Sequence, residues 1–168
     1  MSVSSIAALP ASTDVLLIGY GPVGACIAAL LGRYGVNTLV IDRLSEILLI
    51  PRAIALDNEA LRVLQMAGLD DSAFARIAIP EVRMHSPWLS QFARANTAGS
   101  IDGHPRLVTF YQPELEQALR RQVAQWSTVQ FCSGLELVDL RQDAAGVTAV
   151  VQDAGGEQRE VRCNYLVG

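Results

Sequence analysis

The sequence is poor in cysteine and histidine and has no run of basic residues, and each shortage removes a class of function. Cys26, Cys132 and Cys163 are odd in number, widely separated and in no C-x-x-C arrangement, which excludes a disulfide framework and a cysteine-built zinc site. They read as core residues; Cys26 lies among Ala25, Ile27, Ala28 and Ala29, where a small thiol packs well. His85 and His104 have no partner spacing for a metal or a nucleophile triad, so both read as structural and no metal ligand is assigned. Thirteen basic against seventeen acidic residues give a net charge of −4 without a basic stripe, and nucleic acid is not an expected partner. Met1 to Ser12 is Ser/Ala-rich and lacks a basic segment followed by an apolar run, so it is not expected to be a secretory signal. Residues 1–12 are expected to form a flexible tail, and the cytoplasm is the expected compartment.

What is present is apolar. The 168 residues are 51% hydrophobic, enough for one packed domain. The uncharged stretch Val15 to Gly32 has the length of a membrane span. Gly19, Gly21, Pro22 and Gly24 interrupt it where a strand must turn into a helix, and no membrane association is expected.

That interruption is the strongest motif. An apolar strand, Asp14 to Ile18, runs into Gly19-Tyr20-Gly21-Pro22-Val23-Gly24; a small-residue helix follows, and a second apolar strand, Thr38 to Ile41, ends at Asp42. This is a G-x-G-x-x-G fingerprint with its strands, its helix and an acid at the spacing a ribose hydroxyl requires. Gly19 permits the tight turn, Gly21 lets the backbone approach a pyrophosphate, and Gly24 lets helix and strand pack closely. The pyrophosphate would lie at the helix N-terminus, where unpaired N–H groups and the helix dipole favour negative charge. The motif recognises an ADP half and so leaves FAD and NAD both open.

Beyond Asp42, a helix is expected from Asp57 or Asn58, both good N-caps, with Ala60, Leu61, Leu64 and Ala67 on one face and Gly68 ending it. Leu69 to Ile77 reads as a short helix, Glu81 to Ser86 as a strand, and Pro87 to Pro105 as mostly irregular. Leu107 to Tyr111 reads as a strand, followed by a helix that Pro113 opens. In that helix Leu115, Leu119, Val123 and Trp126 share a packing face, and Glu116 precedes Arg120 by four residues. Four strands follow, Thr128–132, 135–141, 147–152 and 159–168, divided by turn-rich pieces. The expected fold is α/β: a Rossmann-like parallel sheet with a three-stranded antiparallel meander, whose final run, Tyr165 to Gly168, is buried and rejoins the parallel sheet.

These residues resemble the FAD-dependent aromatic hydroxylases, the single-component flavoprotein monooxygenases, from Thr13 to Gly168. The resemblance is carried by Asp14 to Gly24, by Val40-Ile41-Asp42-Arg43, and most specifically by Pro51-Arg52-Ala53-Ile54-Ala55-Leu56-Asp57-Asn58-Glu59-Ala60-Leu61-Arg62. It is greatest to the branch acting on 3-(3-hydroxyphenyl)propionate. The resemblance implies FAD as cofactor, held by Gly19, Gly21, Pro22, Val23 and Gly24, with Asp42 on the adenosine ribose and Arg43 beside the adenine. It also implies Arg52 on the pyrophosphate or ribose, Gln112 on the ribityl or phosphate region, and the backbone around Leu135 on adenine. A carboxylate suits a ribose because it only accepts hydrogen bonds; a guanidinium suits phosphate because it donates in two prongs.

The implied reaction uses NADH or NADPH as transient co-substrate, and dioxygen, to hydroxylate a small phenolic acid. No catalytic side chain is assigned. The family's strand equivalent to Tyr165-Leu166-Val167-Gly168 leads into an Asp-Gly loop, and later motifs complete the pocket. The chain is therefore expected to be the N-terminal part of an FAD-binding domain (residues 13–168), inactive alone and a weak binder of FAD. Homo-oligomerisation is left open. Two alternatives stand beside this reading: the NAD-binding domain of a dehydrogenase, and a non-catalytic interaction module on a nucleotide-binding fold.

Overall fold

The computed structural model describes residues 6–168. Its centre is a parallel strand–helix–strand unit: β1 (Ser12–Ile18), α1 (Pro22–Arg33) and β2 (Thr38–Asp42), with Val15 opposite Thr38 and Ile18 opposite Ile41. Alternation along the pleat divides the side chains between two cores. Leu17 and Val40 face the helices, while Leu16, Leu39 and Ile41 face the opposite side. Helix α1 buries Ala25, Ala28 and Ala29, a narrow strip at helical spacing whose small side chains let the helix lie close to the sheet.

The connection after β2 carries β3 (Ala55–Asp57), α2 (Asn58–Met66), β4 (Arg76–Ala78), β5 (Glu81–Ser86), β6 (Ser90–Asn96), β7 (Ser100–Ile101), β8 (His104–Pro105) and β9 (Leu107–Phe110). Helix α2 begins where its sequence predicts. The Asp57 carboxylate accepts from the Ala60 N–H at 2.8 Å, a cap worth ~1 kcal/mol, and Gly68 leaves the helix with φ +97°. Two expectations fail here. Leu69 to Ile77 is not a helix, because Asp70 Oδ1 accepts from both the N–H and the hydroxyl of Ser72, which holds the chain in a turn before β4 pairs with β9. Nor is 87–105 mostly irregular: β6 folds back on β5 and β8 on β7. His104 is structural, as expected; it is buried, with its Nε2 3.2 Å from Gln65 Oε1.

Helix α3 (Gln112–Val123) buries Leu115, Leu119 and Val123 against the same core as α1 and α2. The chain then adds β10 (Val129–Ser133) and the antiparallel β11 (Leu135–Asp143), β12 (Gly146–Asp153) and β13 (Gln158–Val167). The six-stranded order is β10-β2-β1-β13-β12-β11. Strand β13 serves both parts of the sheet: Cys163 pairs with Val147 of the meander and also with Thr13 of β1, and the parallel pairing continues to Val167. The meander's Val147, Ala149, Val151 and Val161 form the second core with Leu16, Leu39 and Ile41. Cys132 and Cys163 are buried in that core and Cys26 is half-buried against the first.

The start of the chain differs from its expectation. Residues 1–5 lie outside the described residues, but Ile6 and Leu9 are buried in the second core, the Arg159 guanidinium donates to the Ile6 and Ala7 carbonyls, and Ser12 belongs to β1. Apolar side chains at 6 and 9 fix this segment, which is therefore not a loose tail. The final run is also not buried, since Tyr165 is 69% exposed and Val167 is exposed as well; their faces of β13 lie beyond the meander's cover.

Candidate cofactor site

The carboxyl ends of β1 and β2 meet the start of α1, the position at which open parallel sheets bind ligands. Gly19 turns the chain with φ +96° while its N–H stays on the sheet, donating to the Ile41 carbonyl at 2.8 Å. Gly21 is the N-cap of α1 and makes no side-chain cap; the first helical bond runs from Ala25 N–H to Gly21 O at 2.8 Å. The N–H groups of the first turn thus remain without helical partners. Around Gly21 a Cβ would meet nothing within 4 Å, whereas a Cβ on Gly24 would be driven into the Gly19 carbonyl oxygen and stand 3.0 Å from its carbon. The two glycines differ in function: Gly24 is required by packing, and Gly21 borders open space.

Three contiguous clefts surround this loop. One of about 250 Å³ is lined by Gly19, Gly21, Pro22, Val23 and Gly24 together with Val167 and Gly168. A second, about 440 Å³, lies between Gly19, Asp42, Arg43 and Leu135. The third, about 150 Å³, joins Gly21, Pro22 and Asp42 to Arg52, Gln112, Glu116 and Arg120. All ten residues proposed from the sequence therefore line one region, though they come from positions 19 to 135. A polar cavity of about 450 Å³ around Asp14, Asn37 and Asn164 lies at the amino ends of the strands, away from the fingerprint.

The polar side chains are more constrained than their sequence implies. Asp42 Oδ2 accepts from the Tyr20 N–H at 2.6 Å and Oδ1 from the Leu44 N–H at 2.8 Å. An ionised carboxylate has about four lone-pair positions, so each oxygen retains capacity for a ribose hydroxyl. Gln112 Oε1 accepts from both Arg52 and Ala53 N–H at 2.9 Å, clamping the backbone that carries Arg52; its amide NH₂ is the part left for a ligand. Arg43 forms an exposed pair with Glu136 at 3.6 Å, worth ~0–1 kcal/mol. The Leu135 side chain is only 1% exposed, so its main chain is what it offers to the cleft. Asp57 caps α2.

The structure adds three residues that the motif reading does not single out. Arg120 Nη2 donates to the Tyr20 carbonyl and to Glu116 Oε1, both at 3.0 Å, and its guanidinium lies 4.6 Å from the Tyr20 ring centroid. Glu116 is only 4% exposed; burial pushes its carboxyl above the ordinary value, with Arg120 pulling it back down. Burial likewise pushes the Tyr20 phenol up to about 12, against the opposing pull of Arg120. The sequence signal was an i, i+4 pair whose members adjoin Leu115 and Leu119 on the packing side of α3.

This geometry has a counterpart in known proteins. A family model described as FAD binding domain matches residues 12–168. The chain belongs to the FAD binding domain family. Similar members include the 3-(3-hydroxy-phenyl)propionate/3-hydroxycinnamic acid hydroxylases of Comamonas testosteroni and Burkholderia cenocepacia. Both are 40% identical, over 92% of this chain and 26% and 29% of their own lengths; the chain thus spans under a third of these relatives. Among solved structures, p-nitrophenol 4-monooxygenase PnpA from Pseudomonas putida superimposes with a TM-score of 0.80 at 21% identity, covering 94% of this chain and 40% of that one. The flavin-dependent monooxygenase PieE, in complex with FAD and substrate, gives 0.73 at 26% identity, covering 94% and 30%. These matches place the parallel sheet with its meander among FAD binding domains. No described helix is long and apolar enough to cross a membrane.

Proposed function

We propose that this chain is the N-terminal FAD-binding portion of a flavin-dependent monooxygenase that hydroxylates a phenolic aromatic acid with NADH or NADPH and dioxygen. The observation that carries the reading is the contrast at the fingerprint: Gly24 is sealed by the Gly19 carbonyl while Gly21 opens on empty space beside unpaired N–H groups. That is the shape a pyrophosphate needs. The names of the relatives at 40% identity supply the substrate class.

In this reading Gly21, Val23 and Gly24 donate backbone N–H groups to the pyrophosphate, and Arg52 adds a guanidinium from the facing segment. Asp42 accepts from the adenosine ribose. Arg43 and the Leu135 main chain border the adenine, and the Gln112 amide reaches toward the ribityl side. FAD, when bound, supplies the redox chemistry that passes reducing equivalents from the nicotinamide to dioxygen and oxygenates the ring. The residues of this chain bind and orient; the substrate-facing groups belong to the remaining length of the intact protein. Free Cys26, Cys132 and Cys163 favour a reducing compartment, and we place the intact protein in the cytoplasm.

Titration of the intact apoprotein with FAD, ADP, FMN and NAD tests the reading. FAD and ADP should bind and FMN should bind far more weakly, because the ADP half is what the fingerprint holds. Equal affinity for FMN and FAD, or tight NAD binding without FAD binding, would overturn it and favour the dehydrogenase alternative, which the family match does not support.

A further inference from the structure

We infer that Arg120, braced by Glu116, is a positioning residue for the dinucleotide loop: it turns the Tyr20–Gly21 peptide so that the Gly21 N–H is presented to the pyrophosphate. The inference rests on the FAD reading of the site and adds to it a residue a hundred positions away in sequence.

Tyr20 is the middle residue of the Gly19-Tyr20-Gly21 turn, and it is tied from two sides. Its N–H goes to Asp42 Oδ2 at 2.6 Å, at the end of β2, and its carbonyl accepts from Arg120 Nη2 at 3.0 Å, on α3. Every described peptide bond is trans, and in a trans peptide the carbonyl and the following N–H point in opposite directions. Holding the Tyr20 carbonyl toward α3 therefore commits the Gly21 N–H to the other side. Among the described residues that N–H has no hydrogen-bond partner, and Pro22 beyond it has no N–H at all. The loop thus has few donors, and the direction of this one is set by Arg120.

Stability alone does not account for the arrangement. The guanidinium lies 4.6 Å from the Tyr20 ring centroid and 5.7 Å from that of Phe131, its Nε is buried without a hydrogen-bond partner among the described residues, and its counter-ion Glu116 is itself buried. A buried ion pair is often matched or surpassed in stability by apolar residues of similar volume, and an unpartnered buried donor carries a desolvation cost. The flanking Leu115 and Leu119 show that this face of α3 accepts apolar side chains. What an apolar residue cannot do is hold the Tyr20 carbonyl.

The test uses the intact protein and three readouts: ADP and FAD affinity, urea midpoint, and the Gly21 amide resonance during ADP titration. Arg120→Met should lower both affinities roughly tenfold, the order of one hydrogen bond, and should abolish the ADP-induced shift of the Gly21 amide, beside a lower urea midpoint from the buried Glu116 left without its partner. Arg120→Lys, which keeps a donor for the Tyr20 carbonyl, should recover part of the affinity. A merely structural role would lower the urea midpoint and leave ADP affinity and the Gly21 shift unchanged in the folded protein; that result overturns the inference. Should Arg120→Met not fold, the same titrations on Arg120→Lys and Glu116→Leu decide, and wild-type affinity in both overturns it. Wild-type protein that binds neither ADP nor FAD would overturn the FAD reading itself.

Discussion

The Gly24 backbone lies against the Gly19 carbonyl so closely that a Cβ on Gly24 would overlap the Gly19 oxygen, whereas a Cβ on Gly21, three residues earlier, would touch nothing. Equal-looking glycines in one motif therefore answer to different forces. Gly24→Ala should move α1 away from β1 and cost ~1–3 kcal/mol, the range of overpacking, read as a lower urea midpoint. Gly21 has φ −74°, which alanine adopts without strain, so Gly21→Ala should keep the midpoint and lose FAD affinity. A Gly21→Ala protein with wild-type FAD affinity would remove the pyrophosphate from that position.

Gln112 offers a second separation of stability from binding. Its Oε1 holds two consecutive N–H groups, Arg52 and Ala53, and each net hydrogen bond contributes ~0.5–1.5 kcal/mol. Gln112→Glu keeps an acceptor oxygen for both N–H groups and should retain stability; Gln112→Leu should release the Arg52 segment, speed amide exchange at Ala53 and weaken FAD binding. Unchanged exchange at Ala53 in Gln112→Leu would show that other contacts hold the segment.

Tyr20 gives the molecule an alkaline limit. Burial raises its phenol from 10.0 to about 12 in the folded chain, so between those values the folded state keeps a proton that the unfolded state has released. The stability is full below pH 10 and is lost as pH rises toward 12, by about 3 kcal/mol at most. Tyr20→Phe keeps the ring that packs 4.3 Å from Phe131 and removes the titration. Its urea midpoint should fall less steeply over that pH interval than the wild type's; parallel curves would show that the phenol is not the group responsible.

How much of this was legible in the sequence follows from the range of the forces involved. The fingerprint, the Asp57 cap and the Pro113 helix start are set by neighbours within a turn, and those were readable. The β5–β6 hairpin was not: its turn is made by Pro87-Trp88-Leu89, with Ser86 Oγ accepting from Leu89 N–H at 2.9 Å and Ser90 at φ +53°, so no Gly or Asn marks it. Leu69 to Ile77 has helix-compatible residues, but the Asp70 side chain competes for the Ser72 N–H, and competition of that kind breaks helices. At the site, spacing pointed to Asp42 alone, while Arg52 came from the family resemblance, where a guanidinium suits a phosphate. Arg120 was legible only as a helix pair, since its partner is the Tyr20 carbonyl and only the folded chain brings the two together.

Gly32 shows the same close fit away from the site. Near the end of α1, a Cβ on Gly32 would stand 2.6 Å from Trp126 Cδ1 and Cγ, so the indole just beyond α3 occupies the space that a side chain on α1 would take. Glycine inside a helix costs ~1 kcal/mol against alanine, and the lost propensity is offset only if the indole packs there. Gly32→Ala alone should therefore destabilise despite its better helix propensity, by ~1–3 kcal/mol. Combined with Trp126→Leu, which withdraws the ring, the same change should turn neutral or stabilising. The double-mutant cycle in urea should give a coupling of ~1 kcal/mol or more. Additive effects would mean that the ring swings aside freely and that Gly32 has a different reason to be small.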